Sequence, residues 1–356
     1  MIQDNQITYY DFNDINYSGY FLTGFIQNER LFGYGLKVSK KIPALLFDPA
    51  MGGPYKKTLP QICLFGARID RREFYFCIDC RDSCSSDPER LGWHLPLLEK
   101  VRFYFKVNYN EDVIRNDHRL AARDNIIPVP LFFPLKPPRT LPFFQRVLPN
   151  SAINWSLRDT WARFRKLSVL PGPEDMGRLR RTQKDLDVFF VTRFYGQEHH
   201  SAHNHYRLRI MKEIKKHPDI VSMVGMTSDE KLRDEFSGFE MKALPLRVYL
   251  KNLARARIAI YVRGLHDCIS YKLGQYLALG LPIVGQPILN NRKMLYEKDR
   301  FPEQFAFDDP VEIARRIVRL LNDPEELKTL GDINAKTFDA CFTPARVVSG
   351  MLKHLF

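Results

Sequence analysis

Residues 267–285 read DCISYKLGQYLALGLPIVG, and this stretch decides the fold of the second half of the chain. It opens with small polar residues, continues as an apolar stretch with helical spacing, and stops at Gly280 and Pro282 before a β-prone pair. The strand-like segment RIAIYV at 257–262 comes shortly before it. A strand, a loop, a helix and a second strand in this order predict a βαβ unit within a parallel sheet.

The start of the predicted helix offers groups that suit an anionic ligand. Ser270 is the expected N-cap, and the free N–H groups of the following turn would face an anion such as a diphosphate. Lys272 and Arg263 would add positive charge beside it. In the alternative interpretation the segment is only a capped core helix, whose apolar side chains fill space: Leu273, Leu277 and Leu279.

Three further residues of this segment suit a nucleotide sugar. Asp267 lies in the loop and would accept hydrogen bonds from sugar hydroxyls. Gln275 lies one turn beyond Tyr271 on the helix, where it would hydrogen-bond a ribose diol. From spacing alone, the ligand site and the plain core helix remain equally open.

Strand-like and helix-like stretches alternate along most of the chain. In the first half, strands are predicted at 6–12, 36–38, 73–78, 102–107 and 126–133, and helices at 20–32 and 88–100. In the second half, strands are predicted at 186–192, 220–224 and 257–262, and helices at 206–216, 248–256 and 310–321. The alternation predicts two α/β domains with mostly parallel sheets, and the cleft between them is the expected ligand site.

Length and composition fit a soluble two-domain protein. The chain has 356 residues, 45% hydrophobic and 27% charged. Neither a long apolar run nor a signal-peptide pattern is found, so a cytoplasmic location is expected. The six cysteines do not suggest a disulfide framework and are expected to be reduced.

Positive charge is concentrated in the middle of the chain. The net charge is +13, and residues 136–184 hold eleven Lys or Arg against three acids, a surplus of eight. Prolines crowd the same region, which indicates a connection between domains. Residues 155–169 predict a basic, aromatic, amphipathic helix that would lie at an anionic membrane surface or pack against a neighbouring domain. Nucleic acid is an alternative partner for the basic segment.

The second half, residues 186–356, resembles the donor domain of GT-B glycosyltransferases, especially the retaining family 4. That family carries E-x7-E followed by A-x-A-x-G-x-P-V-V. Here Asp267 and Gln275 are separated by seven intervening residues and are followed by YLALGLPIV. Residues 308–331 and 342–356 resemble the family's last helices, and the Ser-x-Lys helix start at Ser270 is similar to exostosin-like transferases.

The resemblance implies a GT-B fold, with two Rossmann-like doubly wound domains facing a cleft. It implies an acceptor domain at 1–140, a basic connection at 141–185, a donor domain at 186–340 and a helix at 341–356 that crosses back to the first domain. In the family the first acid touches the transferred sugar and the second grips ribose. Asp267 and Gln275 depart from both acids, so the sugar and the stereochemical outcome stay open.

The same resemblance implies donor contacts elsewhere. Thr192-Arg193 stands where the family has Gly-Arg, so Arg193 is the expected diphosphate contact. The family's partnering Lys is not evident, and Arg207 or Arg209 would replace it. A looser likeness in the first half places Gly19 in a turn near the donor. The family works without a bound metal, so neither a metal nor another cofactor is expected.

Candidate catalytic groups in the first half follow the strand at 73–78. Asp79 or Asp82 would act as general base on an acceptor hydroxyl, and His94 is a further candidate; capping or ion pairing is the alternative. Two metal alternatives arise from Cys77, Cys80, Cys84 and His94, and from four histidines at 199–205.

The expected activity is transfer of a sugar from a nucleotide diphosphate to a hydroxyl acceptor, a glycan or a lipid-linked molecule in cell-surface polysaccharide or glycolipid synthesis. The expected location is the cytoplasm, with peripheral attachment to the inner face of the membrane. Alternatives are a nucleotide-sugar epimerase of the same fold, a nucleic-acid-binding protein, and a transferase-like subunit without activity.

Overall fold

A computed structural model describes residues 5–11, 14–39, 41–46, 61–85, 92–137, 157–197, 200–228, 232, 234–298 and 301–356. Residues 141–156 of the predicted connection at 141–185 lie outside the described residues, as do residues 88–91 of the predicted helix at 88–100. The described chain forms two α/β domains, each built on its own sheet.

The first domain contains a six-stranded sheet with the order β2-β1-β3-β4-β5-β6. Only β3 runs antiparallel to its neighbours, so the sheet is mostly parallel, as predicted. The strands are β1 (Gln6–Tyr10), β2 (Gly35–Ser39), β3 (Ile62–Ile69), β4 (Arg72–Asp79), β5 (Phe103–Lys106) and β6 (Ile126–Pro128).

The second domain contains a five-stranded sheet with the order β11-β10-β7-β8-β9, and all its strands are parallel. Numbered within this domain, the order is 3-2-1-4-5, that of a Rossmann domain. The strands are β7 (Leu186–Arg193), β8 (Ser222–Thr227), β9 (Glu240–Met241), β10 (Ala256–Tyr261) and β11 (Ile283–Gly285). The predicted fold class, α/β with two Rossmann-like domains as in GT-B proteins, is confirmed.

Fourteen α-helices lie in the described part of the chain. In the first domain and the connection they are α1 (Ile15–Phe32), α2 (Leu95–Leu98), α3 (Glu111–Asn116), α4 (His118–Ala121), α5 (Leu157–Val169) and α6 (Pro173–Arg180). The second domain adds α7 (Ser201–Lys215), α8 (Leu246–Arg255), α9 (Lys272–Ala278), α10 (Arg292–Tyr296), α11 (Phe301–Gln304), α12 (Pro310–Leu321), α13 (Pro324–Thr337) and α14 (Pro344–Leu355). None of the described helices is both long and apolar enough to cross a bilayer.

Residues 257–285 form the predicted βαβ unit. Strands β10 and β11 pair in parallel on either side of α9, and Gly280 ends the helical stretch with a φ of 61°. Leu273, Leu277 and Leu279 are buried in the core. The helix begins at Lys272, two residues after the predicted Ser270 cap, although the Ser270 hydroxyl still accepts from the Lys272 N–H at 3.4 Å.

Helix α1 begins five residues earlier than predicted, which corrects the placement of Gly19. Asp14 caps the helix by accepting from the Asn16 N–H at 3.1 Å, so Gly19 lies inside the second turn and not in a loop. A Cβ on Gly19 would stand 1.9 Å from the Leu135 carbonyl oxygen. Its lack of a side chain therefore serves close packing within the first domain.

The last helix, α14, packs on α1 of the first domain. Asn28 donates to the Ala345 carbonyl oxygen at 2.9 Å, and the Tyr20 hydroxyl donates to that of Phe342. A Cβ on Gly24 would stand 2.2 Å from the Pro344 carbonyl oxygen. The chain therefore ends in contact with the domain in which it began.

Candidate functional site

The second sheet changes direction between β7 and β10. From β7 the chain proceeds outward to β8 and β9, then returns to the other side of β7 with β10 and β11. In such sheets the loops after the two central strands diverge and leave a crevice for a ligand. Here the crevice lies between the loop after Arg193 and the loop after Tyr261. The imidazole rings of His200 and His266, one from each loop, lie 6.5 Å apart.

Helix α7 fixes the first of these loops and brings a buried arginine to the crevice. Asn204 accepts from the Tyr195 N–H at 3.1 Å and donates to its carbonyl oxygen at 2.7 Å. Arg207 is only 5% exposed, donates to the Arg193 carbonyl oxygen at 2.8 Å, and lies 5.1 Å from the centre of the Tyr195 ring. Its Nε atom has no hydrogen-bond partner among the described residues.

Lys272 brings a second enclosed cation to the same place. Its Nζ atom donates to the Val191 carbonyl oxygen, near the end of β7, at 2.9 Å and lies 5.7 Å from the centre of the Tyr249 ring. Burial and the neighbouring Arg207 lower the pKa of Lys272 to about 7. Burial also lowers the pKa of Arg207.

No described carboxylate forms an ion pair with Arg207 or Lys272. Two cations that share an enclosed position without a counter-ion are unfavourable, because each loses hydration and repels the other. An anionic ligand would supply the missing charge. The buried edge of this crevice therefore offers positive charge to an anion.

The other predicted donor residues are placed differently. Arg193 is exposed at the end of β7, and its charge interacts with the Tyr271 ring hydroxyl, which is also at the surface of the cleft. Arg263 is 18% exposed and is already engaged by two acids, Asp267 at 3.4 Å and Asp308 at 3.2 Å. Arg263 would therefore have to share its charge with these two acids if it contacts a diphosphate, and that contact stays a prediction.

Asp267 and Gln275, the two motif positions, differ in exposure. The Asp267 side chain is 60% exposed, and a left-handed backbone at His266 and Asp267, with φ of 57° and 59°, turns the loop at the cleft. Gln275 is fully buried, and neither atom of its amide has a partner among the described residues. The expectation of an accessible ribose contact at Gln275 is not met in this structure.

In the first domain, Asp79 belongs to a closed polar cluster. Arg81 donates to both of its carboxylate oxygens, at 3.0 and 2.8 Å, and the Tyr104 hydroxyl donates at 2.6 Å. Lys106 lies 3.4 Å away, and all four side chains are buried. Burial alone would raise the pKa of Asp79, but Arg81 and Lys106 outweigh it and lower the pKa. Asp79 is inaccessible and weakly basic, so its proposed role as general base is wrong.

His94 lies behind this cluster and is also excluded as an acid or base in the cleft. It is fully buried, and its Nδ1 atom caps α2 by accepting from the Leu97 N–H at 3.2 Å. Burial lowers the pKa of His94 to about 4, so the ring is neutral at neutral pH.

Asp82 is a first-domain acid that lies near the loop after β10 of the second domain. Asp82 is exposed to solvent, and desolvation of its carboxyl group by the surrounding protein raises its pKa. The thiol of Cys268, from the loop after β10, interacts electrostatically with the Asp82 carboxylate. Electrostatic interactions with Tyr17 and Tyr271 place both rings nearby. A solvent-accessible acid with a raised pKa is suited to proton transfer.

A cavity of about 470 Å³ opens between the domains beside Asp82. The Asn110 amide donates to the Asn290 side-chain oxygen at 3.1 Å, and the Asn290 amide donates to the Asp267 carbonyl oxygen at 3.3 Å. The lining combines hydroxyl, amide and carboxyl groups, which suit sugar hydroxyls. Lining residues are Ser83, Cys84, Ser85, Asn110, Asp112, Val113, Asn116, His266, Asp267, Leu289 and Asn290.

Neither metal alternative is assembled in the described part of the chain, where no three His, Cys, Asp or Glu residues come together to hold an ion. Cys77, Cys80 and Cys84 are buried thiols with raised pKa values. His199 lies outside the described residues, and His205 instead contacts Glu235 at 3.0 Å.

Several site residues were not identified from the sequence. Tyr17 and Cys268 belong to no motif, and the structure places them near Asp82. Asn108 and Asn291 belong to no motif either: Asn108 accepts from the Ile269 N–H at 2.8 Å, and Asn291 donates to the Val129 carbonyl oxygen at 2.7 Å, in both cases between the domains. Arg207 was one of two alternatives for a missing lysine, and its burial on α7 distinguishes it from Arg209, which is exposed and lies 3.8 Å from Asp309.

No protein-family model and no curated protein matches the chain. Among solved structures it is similar to TarM of S. aureus, with 10% identity and a TM-score of 0.44, over 74% of this chain and 45% of TarM. It is similar to HepE of Anabaena in complex with UDP and glucose, with 10% identity and a TM-score of 0.43, over 76% of this chain and 68% of that one.

A third similar structure is a UDP-GlcNAc 2-epimerase from Neisseria meningitidis bound to UDP-GlcNAc. It shares 12% identity and a TM-score of 0.39, over 77% of this chain and 68% of the epimerase. In the comparison with TarM, the chain spans less than half of the length of that protein. The fold assignment rests on the strand order of the chain itself.

Proposed function

We propose that the chain is a glycosyltransferase of the hexosyltransferase class, which moves a sugar from a nucleotide-diphosphate donor to a hydroxyl acceptor. The observation that carries the proposal is the pair Arg207 and Lys272, two enclosed cations at the switch point of a Rossmann sheet with no counter-ion among the described residues. A diphosphate bound there would neutralise both and would leave with its charge stabilised.

The first-domain side would supply the acceptor and the base. In an inverting reaction the Asp82 carboxylate would take the proton of the acceptor hydroxyl while that oxygen bonds to the anomeric carbon. The bond from the anomeric carbon to the diphosphate oxygen breaks, and the diphosphate leaves with the electron pair. In a retaining reaction no separate base is needed, so the effect of removing Asp82 also reports on the stereochemical course.

The sugar would occupy the cavity beside Asp82, with Asp267 accepting from its hydroxyls. A glycan or lipid-linked acceptor of cell-surface polysaccharide or glycolipid synthesis fits the same polar lining. Arg207 and Lys272 would take the role that a divalent cation has in other transferases, so we expect transfer to continue in the presence of EDTA.

The decisive experiment measures thermal stability with UDP, GDP and TDP in the wild type and in Lys272→Met. We expect one nucleotide to raise the melting temperature of the wild type. Lys272→Met should be at least as stable without ligand, because an uncompensated charge is removed, and should lose most of the nucleotide effect. Lys336→Met, at an exposed position of α13, is the matched control and should behave as the wild type.

Two results would contradict the proposal. The first is that no nucleotide stabilises the wild type and Arg193→Ala leaves transfer unchanged. The second is that Lys272→Met binds nucleotide normally. Product analysis with a panel of nucleotide sugars then identifies the reaction: a transferase needs an acceptor, whereas an epimerase converts the donor sugar without one.

A further inference from the structure

Helix α5 presents one face to solvent. Trp161 is 60% exposed and Val169 is 38% exposed, and Arg165 between them is exposed as well. Their spacing of four residues places all three on the same face. The opposite side of the helix packs on the first domain, where the buried Leu167 joins Ile15. The Trp161 ring stacks on Phe164 of the same helix with 5.5 Å between ring centres, and most of its surface remains exposed.

Helix α8 extends this face, although it lies about eighty residues further along the chain. Arg247 donates to the Ser168 carbonyl oxygen of α5 at 2.6 Å, which joins the two helices. Val248 is 42% exposed and Lys251 is exposed on the outer side of α8. We name the combined surface the α5–α8 patch; it consists of Trp161, Arg165, Val169, Arg247, Val248 and Lys251.

The patch is basic. None of its three cations forms an ion pair with a described carboxylate, and the acids around it are engaged elsewhere. Asp14 binds Lys166 at 2.5 Å, and Asp175 binds Arg178. Asp175 also interacts with Arg247 at longer range, which reduces the positive charge of the patch without cancelling it.

We propose that the α5–α8 patch docks the protein on an anionic lipid bilayer. Tryptophan and aliphatic side chains placed among arginine and lysine suit the headgroup region, where the apolar parts enter and the charges remain with the phosphates. A nucleic-acid surface would use the cations but would leave Val169 and Val248 against water or phosphate. Trp161, Val169 and Val248 therefore favour the bilayer, and the inference is independent of the catalytic proposal.

The test is flotation with vesicles of phosphatidylcholine alone and of phosphatidylcholine mixed with phosphatidylglycerol. We expect the wild type to bind only the mixed vesicles. The double variant Arg165→Glu with Lys251→Glu should bind at least about 25-fold more weakly, since each basic residue near an anionic surface contributes about fivefold. Trp161→Ala should also weaken binding, and its loss should not depend on salt.

The matched control is Arg319→Glu with Lys336→Glu, which reverses two exposed charges on α12 and α13. It should float as the wild type does, and unchanged circular dichroism should show that both double variants are folded. The inference is overturned if the wild type does not float with the mixed vesicles, or if the two double variants lose binding equally. It is also overturned if RNA or DNA binds through the patch while vesicle binding ignores the substitutions.

Discussion

Asp79 and Asp82 are three residues apart and have opposite environments. Asp79 is closed into a cluster with Arg81, Tyr104 and Lys106, whereas Asp82 is exposed and interacts electrostatically with Cys268 of the second domain. The pKa of the first is lowered by its cations, and that of the second is raised by enclosure. One acid stabilises the fold, and the other is free to exchange protons.

Neutral amides at the two positions should separate these roles. Asp82→Asn should lower kcat about 10²- to 10⁴-fold if the reaction inverts, with little change in stability. Asp79→Asn should cost about 3–5 kcal/mol of unfolding free energy, because Arg81 and Lys106 remain buried without their partner. Kinetics and urea unfolding of both variants measure the two effects. The assignment is contradicted if Asp82→Asn strongly lowers the free energy of unfolding. It is also contradicted if Asp79→Asn lowers kcat without lowering the free energy of unfolding.

Lys272 should make nucleotide binding depend on pH. The pKa of this lysine is lowered to about 7 in the folded protein, so between that pH and the ordinary value of 10.5 the unfolded chain holds one more proton. Stability without ligand should therefore rise with pH across this window. A bound diphosphate favours the charged lysine, so nucleotide affinity should fall by up to about tenfold per pH unit above 7.

Calorimetric titration of the nucleotide between about pH 6 and 9 tests this dependence. Lys272→Arg keeps its charge throughout and should show nearly constant affinity, which separates the lysine from the titration of the nucleotide itself. His203 does not interfere, because burial lowers its pKa to about 3. A wild-type affinity that is flat with pH, or a Lys272→Arg profile identical to it, would contradict the assignment.

At the residue scale, the position of the site could be predicted from the sequence more accurately than the residues that form it. Asp82, Arg193 and Asp267 follow strand ends, and their place at the cleft follows from the general geometry of parallel sheets. The burial of Gln275 could not be predicted, because it depends on how α9 packs in the folded molecule. A Cβ on the neighbouring Gly274 would stand 2.7 Å from a ring atom of Phe133, which shows how closely α9 meets that domain.

At the element scale, α1 and α14 are joined by a glycine contact. A Cβ on Gly24 would stand 2.2 Å from the Pro344 carbonyl oxygen and 2.5 Å from a methyl group of Val348. Gly24→Ala should therefore cost about 1–3 kcal/mol of unfolding free energy, because two helices must separate.

Gly350, in α14, is the matched control. A Cβ there meets no atom within 4 Å, so Gly350→Ala should stabilise the protein by up to about 1 kcal/mol through helix propensity. Guanidinium unfolding of the two variants compares them directly. Equal effects, or a neutral Gly24→Ala, would show that α14 is not held tightly against α1.

Two elements show what local pattern misses. Strand β3 was not predicted, because ICLFGARI at Ile62–Ile69 is almost continuously apolar and lacks the alternation of a half-buried strand. Its turn to β4 uses Asp70 and Arg71, with φ of 49° and 65°, without the glycine that usually marks a hairpin. Helix α1 extends through Gly19, because packing against Leu135 outweighs the poor helix propensity of glycine.

At the scale of the whole molecule, hydrogen bonds between the domains hold the cleft in shape. The Asn291 amide donates to the carbonyl oxygens of Val129 at 2.7 Å and Pro130 at 3.2 Å, and also to that of Val107. The Ile269 N–H donates to Asn108 at 2.8 Å. These contacts join the carboxyl edge of the first sheet to loops of the second domain, so the position of Asp82 relative to Lys272 depends on them.

Asn291 provides the sharpest test of this dependence. Its φ is 51°, a left-handed conformation that glycine also adopts, so Asn291→Gly removes the amide without straining the backbone. The loss of its hydrogen bonds should weaken the contact by roughly 0.5–1.5 kcal/mol for each bond. We expect a larger radius of gyration by X-ray scattering, a lower kcat/KM, and nucleotide binding close to that of the wild type, since Arg207 and Lys272 lie within the second domain.

Asn322→Gly, at the exposed end of α12, is the matched control and should change none of these three quantities. If Asn291→Gly leaves both the scattering and kcat/KM unchanged, or loses nucleotide binding, then Asn291 does not act by holding the two domains together.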